Sequence, residues 1–270
     1  MRFERVLVAV DLSPESNGAL ERALELVEPA GTLTALHVTP IFGRDVREAQ
    51  VALERLIHEH EPRAARVALE VRSGRASRAI LDIAGRIDAD AIVTGKSRAA
   101  LQVAARARVP TVVVAPGAKR PERVVLALEF STPSMLAAEA GVAMAERLGV
   151  PLLALHVIDP RAPGAEDHSV EETRQGMSSL VQLAANRRVP VSIQLGVPAE
   201  EILAATGPAD LLVCGSRRAG VLEQLIDPSV SKELLREAPG TVVVVPPPLG
   251  ERPREISHPW AARALIRSFS

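Results

Sequence analysis

The residues of this chain that stand at chemically suggestive spacings point to anion binding rather than to bond making. Gly95-Lys96-Ser97 repeats the end of a phosphate-binding P-loop, in which backbone N–H groups cradle phosphate oxygens and the lysine neutralises them. The first glycine of that signature would fall at position 90, which is Asp90, so a true P-loop is not expected. Lys96 and Arg98 can still attract an anion, although a solvated basic loop accounts for the same pair. His37 and His156 each sit in a Leu-His-Val run without a Cys, His or acidic partner at metal spacing, so both are expected to be hydrogen-bonded strand histidines. His58 and His60 fall on different faces of a helix and cannot chelate one ion. Cys214, the single cysteine, excludes an intrachain disulfide and is expected to fill space in a buried strand. No Ser-His-Asp, paired-acid or metal constellation emerges, so no catalytic residue and no metal ligand is assigned.

The elements that must position these residues are written twice. Arg5-Val-Leu-Val-Ala-Val-Asp11-Leu-Ser13 returns as Arg123-Val-Val-Leu-Ala-Leu-Glu129-Phe-Ser131. Leu33–Val38 returns at Leu152–Val157, Asp90–Gly95 at Asp210–Gly215, and Val109–Pro116 at Pro239–Pro246. Within the first copy, apolar β-branched runs at Val6–Val10, Leu33–Val38, Val67–Val71, Ala91–Thr94 and Thr111–Ala115 read as strands. They alternate with helices from about Ser13 to Val27, Asp45–His60, Ala76–Arg86 and Ser97–Ala107. The second copy repeats the plan from Arg123 to Val245, with a helix near Val170–Asn186 and another at Ser229–Glu237. Continuously apolar strands alternating with helices predict a parallel sheet covered on both faces. The fold expected is therefore α/β, with two tandem doubly wound, five-stranded Rossmann-like domains at 1–117 and 122–247. The terminal strands Thr111–Ala115 and Thr241–Val245 are expected to meet and make the chain an intramolecular pseudo-dimer.

Composition narrows the partners. The 270 residues carry 32 Lys and Arg against 33 Asp and Glu, so no global field selects nucleic acid or an acidic membrane. Aromatics are 2% of residues with no Tyr, which argues against base-stacking platforms. No apolar run reaches the roughly 20 residues that span a bilayer, and a strand opens directly after Met1-Arg-Phe-Glu4, so a cytoplasmic protein without a signal peptide or transmembrane segment is expected. Residues 248–270 form a proline-rich spacer and a short apolar segment around Trp260, Leu265, Ile266 and Phe269 that is expected to dock as a helix.

With these motifs in view the chain resembles the universal stress protein family over nearly all of residues 1–247, in two copies. The resemblance rests on the strand-Asp-x-Ser-Pro opening at Val8–Pro14, the Leu-His-Val strand, and the Gly74 or Gly196 turn into a helix. It also rests on Ala-Asp-x-x-Val-x-Gly at Ala89–Gly95 and Ala209–Gly215, and on the closing Thr-Val-Val-Val strands. It implies an adenine nucleotide alpha hydrolase-like fold, a stress-response role, and a cleft that in ATP-binding members carries Gly-x-x-Gly, nine residues, then Gly-Ser/Thr. In the second copy Gly215-Ser216-Arg217-Arg218, nine residues, then Pro228-Ser229 keeps the spacing but loses two glycines. Arg218 adds a Cβ and a charge where backbone N–H groups should approach phosphate, and Pro228 removes a donor. Asp227 is expected to cap the following helix, placing a carboxylate where an anion would sit. Glu129 stands where the family places an aspartate near the nucleoside. In the first copy Asp11 is retained, but Gly95 to Pro110 spans 15 positions against 24 from Gly215 to Pro239.

The resemblance thus nominates Asp11, Glu129, Gly215, Ser216, Arg217, Arg218, Ser229 and Val230 as nucleotide-site residues, with ATP or another adenine nucleotide in the second domain as the ligand. Three functions compete: a binding or regulatory protein with degenerate nucleotide loops, an ATP sensor with slow or no hydrolysis, and a scaffold that docks a protein or membrane surface through its tail. A homodimer and an unidentified protein partner are compatible with each.

Overall fold

A computed structural model describes residues 1–13, 17–40, 46–60, 66–129, 132–161, 169–186, 188–216 and 230–247. The chain divides into two units, Met1–Arg120 and Pro121–Ser270.

In the first unit the elements run β1 (Arg5–Val10), α1 (Asn17–Leu26), β2 (Thr32–Thr39), α2 (Val46–Glu59), β3 (Arg66–Ser73), α3 (Ala76–Arg86), β4 (Ala91–Gly95), α4 (Arg98–Ala104) and β5 (Thr111–Val114). Every pairing is parallel, in the order β3-β2-β1-β4-β5. Chain order therefore reverses between β1 and β4, the place where a doubly wound sheet opens a crevice at its carboxyl ends. Central strands are apolar at successive positions because helices cover both faces. Leu7, Leu36 and Ile92 pack under Ile80 and Ile83 of α3 and Val103 of α4, while α1 lies against β1, β4 and β5. Edge strand β3 is only partly covered and carries Arg66, Glu70 and Arg72 among its eight residues.

The second unit repeats this with β6 (Arg123–Ala127), α5 (Thr132–Leu148), β7 (Leu152–Ile158), α6 (Val170–Ala185), β8 (Val191–Leu195), α7 (Pro198–Ala204), β9 (Asp210–Gly215), α8 (Val230–Glu237) and β10 (Thr241–Val245). Its parallel order is β8-β7-β6-β9-β10. Each half is thus a five-stranded doubly wound α/β domain, as the alternation of strands and helices predicts.

Local chemistry sets the element ends. Helix α1 stops at Leu26 because the Glu28 N–H turns to the Phe3 carbonyl at 2.9 Å. Ser97, expected as the first residue of α4, is instead its N-cap: its Oγ accepts from the Ala100 N–H at 3.1 Å. Helix α4 ends at Ala104, three residues earlier than expected, where the Arg106 and Ala107 N–H groups both turn back to the Val103 carbonyl at 2.9 and 2.7 Å. Asn186 closes α6 as a left-handed C-cap with φ 49°. Asp88 lies beyond α3, at φ 47°, where its carbonyl accepts from Arg5 Nε at 2.7 Å. The start of α1 at 14–16 and the tail at 248–270 lie outside the described residues.

Candidate functional site

The crevice in each domain is built at the exits of two neighbouring strands. In the second domain the β6–β9 register pairs Ala127 with Cys214. Glu129 and Ser216 each lie two residues further on, so the register brings them to the same level at the mouth of the crevice. The Ser216 N–H donates to the Val245 carbonyl at 2.8 Å, which keeps the segment after Gly215 in line with β10. In the first domain β1 pairs Ala9 with Thr94, which brings Asp11 to the level of Lys96. The Lys96 N–H likewise donates to the Val114 carbonyl at 2.8 Å.

Both strand histidines do what their spacing suggests. The His37 Nδ1–H donates to the Val10 carbonyl at 2.9 Å, and the His156 Nδ1–H donates to the Leu128 carbonyl at 2.7 Å. A carbonyl only accepts, so Nδ1 carries the proton in both rings. Each histidine therefore fixes the residue immediately before the candidate carboxylate, Asp11 or Glu129.

The carboxylates are held differently. Asp11 Oδ1 accepts from the Ser13 N–H at 3.0 Å and from the Ser13 hydroxyl at 2.6 Å, an Asx turn that ties the carboxylate to its own loop. Leu12, between them, takes φ 63°. In the second domain the corresponding backbone is fixed from the helix instead: the Glu129 N–H donates to the Oγ of Ser134, which is 1% exposed in the first turn of α5. Beneath it lies Cys214, whose thiol burial and the Glu129 carboxylate push up to about 12. At neutral pH the thiol is protonated and inert, consistent with space filling rather than nucleophilic chemistry.

The carboxyl end of β7 is followed by an ion pair. After β7, Asp159 Oδ1 accepts from Arg161 Nε and Oδ2 from its terminal nitrogen, both at 2.9 Å. The Arg161 guanidinium holds the Asp159 carboxyl down to about 2. In the first domain Thr39 ends β2, and its hydroxyl meets that of Ser73 at 2.8 Å; residues 41–45, which follow, lie outside the described residues. Among the described residues no three His, Cys, Asp or Glu side chains are placed to hold a metal ion.

Of the residues nominated from the sequence, Asp11 follows the carboxyl end of β1 in the first domain, and Glu129, Gly215 and Ser216 stand at or just beyond the carboxyl ends of β6 and β9 in the second. Val230 opens α8. Arg217, Arg218 and Ser229, with Asp227 and Pro228, lie outside the described residues. Sequence reasoning missed Ser134, whose equivalent by repeat is Ser16, and missed the Asp159–Arg161 pair. The repeated serine was a readable signal; the ion pair was not, since it has no counterpart in the first copy.

A doubly wound domain whose strand order reverses between its first and fourth strands, present twice, defines the class of tandem doubly wound α/β proteins. The Universal stress protein family profile matches residues 2–115 and again 121–246, and the chain belongs to that family as a tandem pair. No curated protein matches the sequence at a significant level. Among solved structures, a universal stress protein from Archaeoglobus fulgidus DSM 4304 is similar at 20% identity and TM-score 0.64, covering 93% of this chain and 98% of that one. A functionally unknown protein from Pseudomonas aeruginosa PAO1 gives 12% identity, TM-score 0.66 and coverage of 91% and 93%. The cytoplasmic domain of a prokaryotic cation chloride cotransporter also shares the fold, at 11% identity and TM-score 0.57, over 89% of this chain and 94% of that domain.

Proposed function

We propose that this chain is a cytoplasmic, stress-associated binding and regulatory protein that works without catalysis, and that its two clefts have diverged. The observation that carries this reading is the fate of the first cleft. There β4 passes through Lys96 directly into the Ser97-capped helix α4, and the Asp11 carboxylate is engaged by Ser13. The short connection leaves no segment to wrap a phosphate chain, so this domain serves as a structural half.

The second domain keeps the longer segment and a preorganised Glu129 beside Ser216, which favours a residual adenine-nucleotide site there as the second reading. Its loop lacks two glycines. Losing two backbone donors to phosphate, at about 1.5–3 kcal/mol each for bonds to a charged group, weakens affinity by roughly two to four powers of ten. Calorimetric titration of the full chain with ATP tests the pair of readings: binding is expected to be weak or absent, and Arg218→Gly tells whether the guanidinium serves as ligand or as block. Weaker binding in that variant marks a ligand; tighter binding marks a block.

A further inference from the structure

We infer that Arg22, Glu25 and Arg120 form a strap that binds the segment following β5 onto α1, so that residues 116–120 behave as part of the first domain rather than as a loose tether. Arg22 lies in the middle of α1 and is 3% exposed, a costly place for a guanidinium unless its bonds are supplied. One terminal nitrogen donates to the Lys119 carbonyl at 3.0 Å, and the other is paired with Glu25. Glu25 in turn meets Arg120 Nε at 3.2 Å. Burial pulls the Arg22 guanidinium below its ordinary value, Glu25 and Glu21 pull it back, and the nearby Arg120 charge lowers it further. The Ala118 N–H adds a turn bond to the Ala115 carbonyl at 3.1 Å.

The repeat supplies an internal control. The residue equivalent to Arg22 is Ala140, fully buried in α5, and the equivalent of Glu25 is Ala143. The helix position therefore accepts a small apolar side chain in the second copy. In the first copy it carries a buried charge bonded to the backbone of the segment that leaves β5. Two residues beyond Lys119 the chain reaches Pro121, and the Glu122 N–H already donates to Ala209 of the second unit at 2.8 Å.

A Lys-specific protease reads the strap directly, because the chain has three lysines, Lys96, Lys119 and Lys232. Cleavage after Lys119 in the full chain requires the strap to open. Arg22→Met keeps the apolar stem and removes the donors; it is expected to raise the Lys119 cleavage rate about tenfold or more, while Lys96 and Lys232 are cut as in the parent chain. Arg120→Gln, at a side chain 78% exposed, leaves the core untouched and is expected to raise it severalfold. That second variant decides the matter should Arg22→Met fail to fold. A parent chain cut at Lys119 as fast as an unstructured peptide of residues 113–126 overturns the strap, as does unchanged cleavage in both folded variants.

Discussion

At the scale of single residues, Glu129 and Cys214 connect the site to measurable chemistry. Burial and the Glu129 carboxylate raise the Cys214 thiol from its ordinary 9.0 to about 12. Because the folded-state value is raised, the stabilisation is fully present below pH 9 and is lost as pH rises toward 12. Equilibrium unfolding measured across that window should therefore show stability falling with pH, and Cys214→Ala should flatten the fall. Thiol reagents at pH 7.5 should label the protein only after denaturant is added; fast labelling of the native chain would contradict the burial. Ser134→Ala leaves the Glu129 N–H without its acceptor, and the thermal midpoint should drop by an amount corresponding to about 1–2 kcal/mol. Both crevices owe their geometry to such backbone bonds, and those were only partly legible. His37 and His156 could be read as satisfied strand residues because neither had a partner at metal spacing. The capture of Asp11 by Ser13 could not be read, since Asp-x-Ser is equally compatible with a free carboxylate.

At the scale of elements, the turns into α3 and α7 rest on glycine. Gly74 takes φ +133° and Gly196 φ +151°, and their N–H groups donate to Thr39 at 2.9 Å and Ile158 at 3.0 Å. An L side chain is strained at either position, and a Cβ at Gly196 would also lie 2.5 Å from Glu201 Oε1. Alanine at either site should cost about 1–3 kcal/mol in chemical denaturation, with Gly196→Ala the more damaging. Gly141 of α5 is different: it has ordinary helical backbone, but a Cβ there would reach within 2.1 Å of the buried Leu126 Cδ2. Overpacking should outweigh the gain in helix propensity, making Gly141→Ala destabilising by about 1 kcal/mol or more. The elements themselves were almost wholly legible in the sequence, because strands buried on both faces are continuously apolar and the repeat reports each of them twice. Their ends were less so. Helix α4 stops short of Ala107 in a turn closed on the Val103 carbonyl, and α1 stops when Glu28 turns to Phe3, a partner 25 residues away that no local pattern announces.

At the scale of the whole molecule, the account is one of duplication followed by unequal retention. The first domain carries a Ser97-capped helix in its fourth connection, and its α1 donates from Arg22 to the Lys119 carbonyl. The second has kept a long connection from β9 to α8 and a fixed glutamate beside it. The segment 248–270, absent from both repeats, lies outside the described residues, and we propose that it serves assembly. Removing it after Leu249 should leave both domains folded by far-ultraviolet dichroism while changing the mass in solution or partner capture, and no change in either would remove that role. The most direct test of unequal retention is the stoichiometry of ATP titrated calorimetrically into the full chain, the Asp11→Ala variant and the Glu129→Ala variant. The account predicts at most one nucleotide per chain, bound more weakly than about 1 μM, unaffected by Asp11→Ala and diminished by Glu129→Ala. Two nucleotides per chain, submicromolar affinity, or binding that disappears with Asp11 and persists without Glu129 would contradict it.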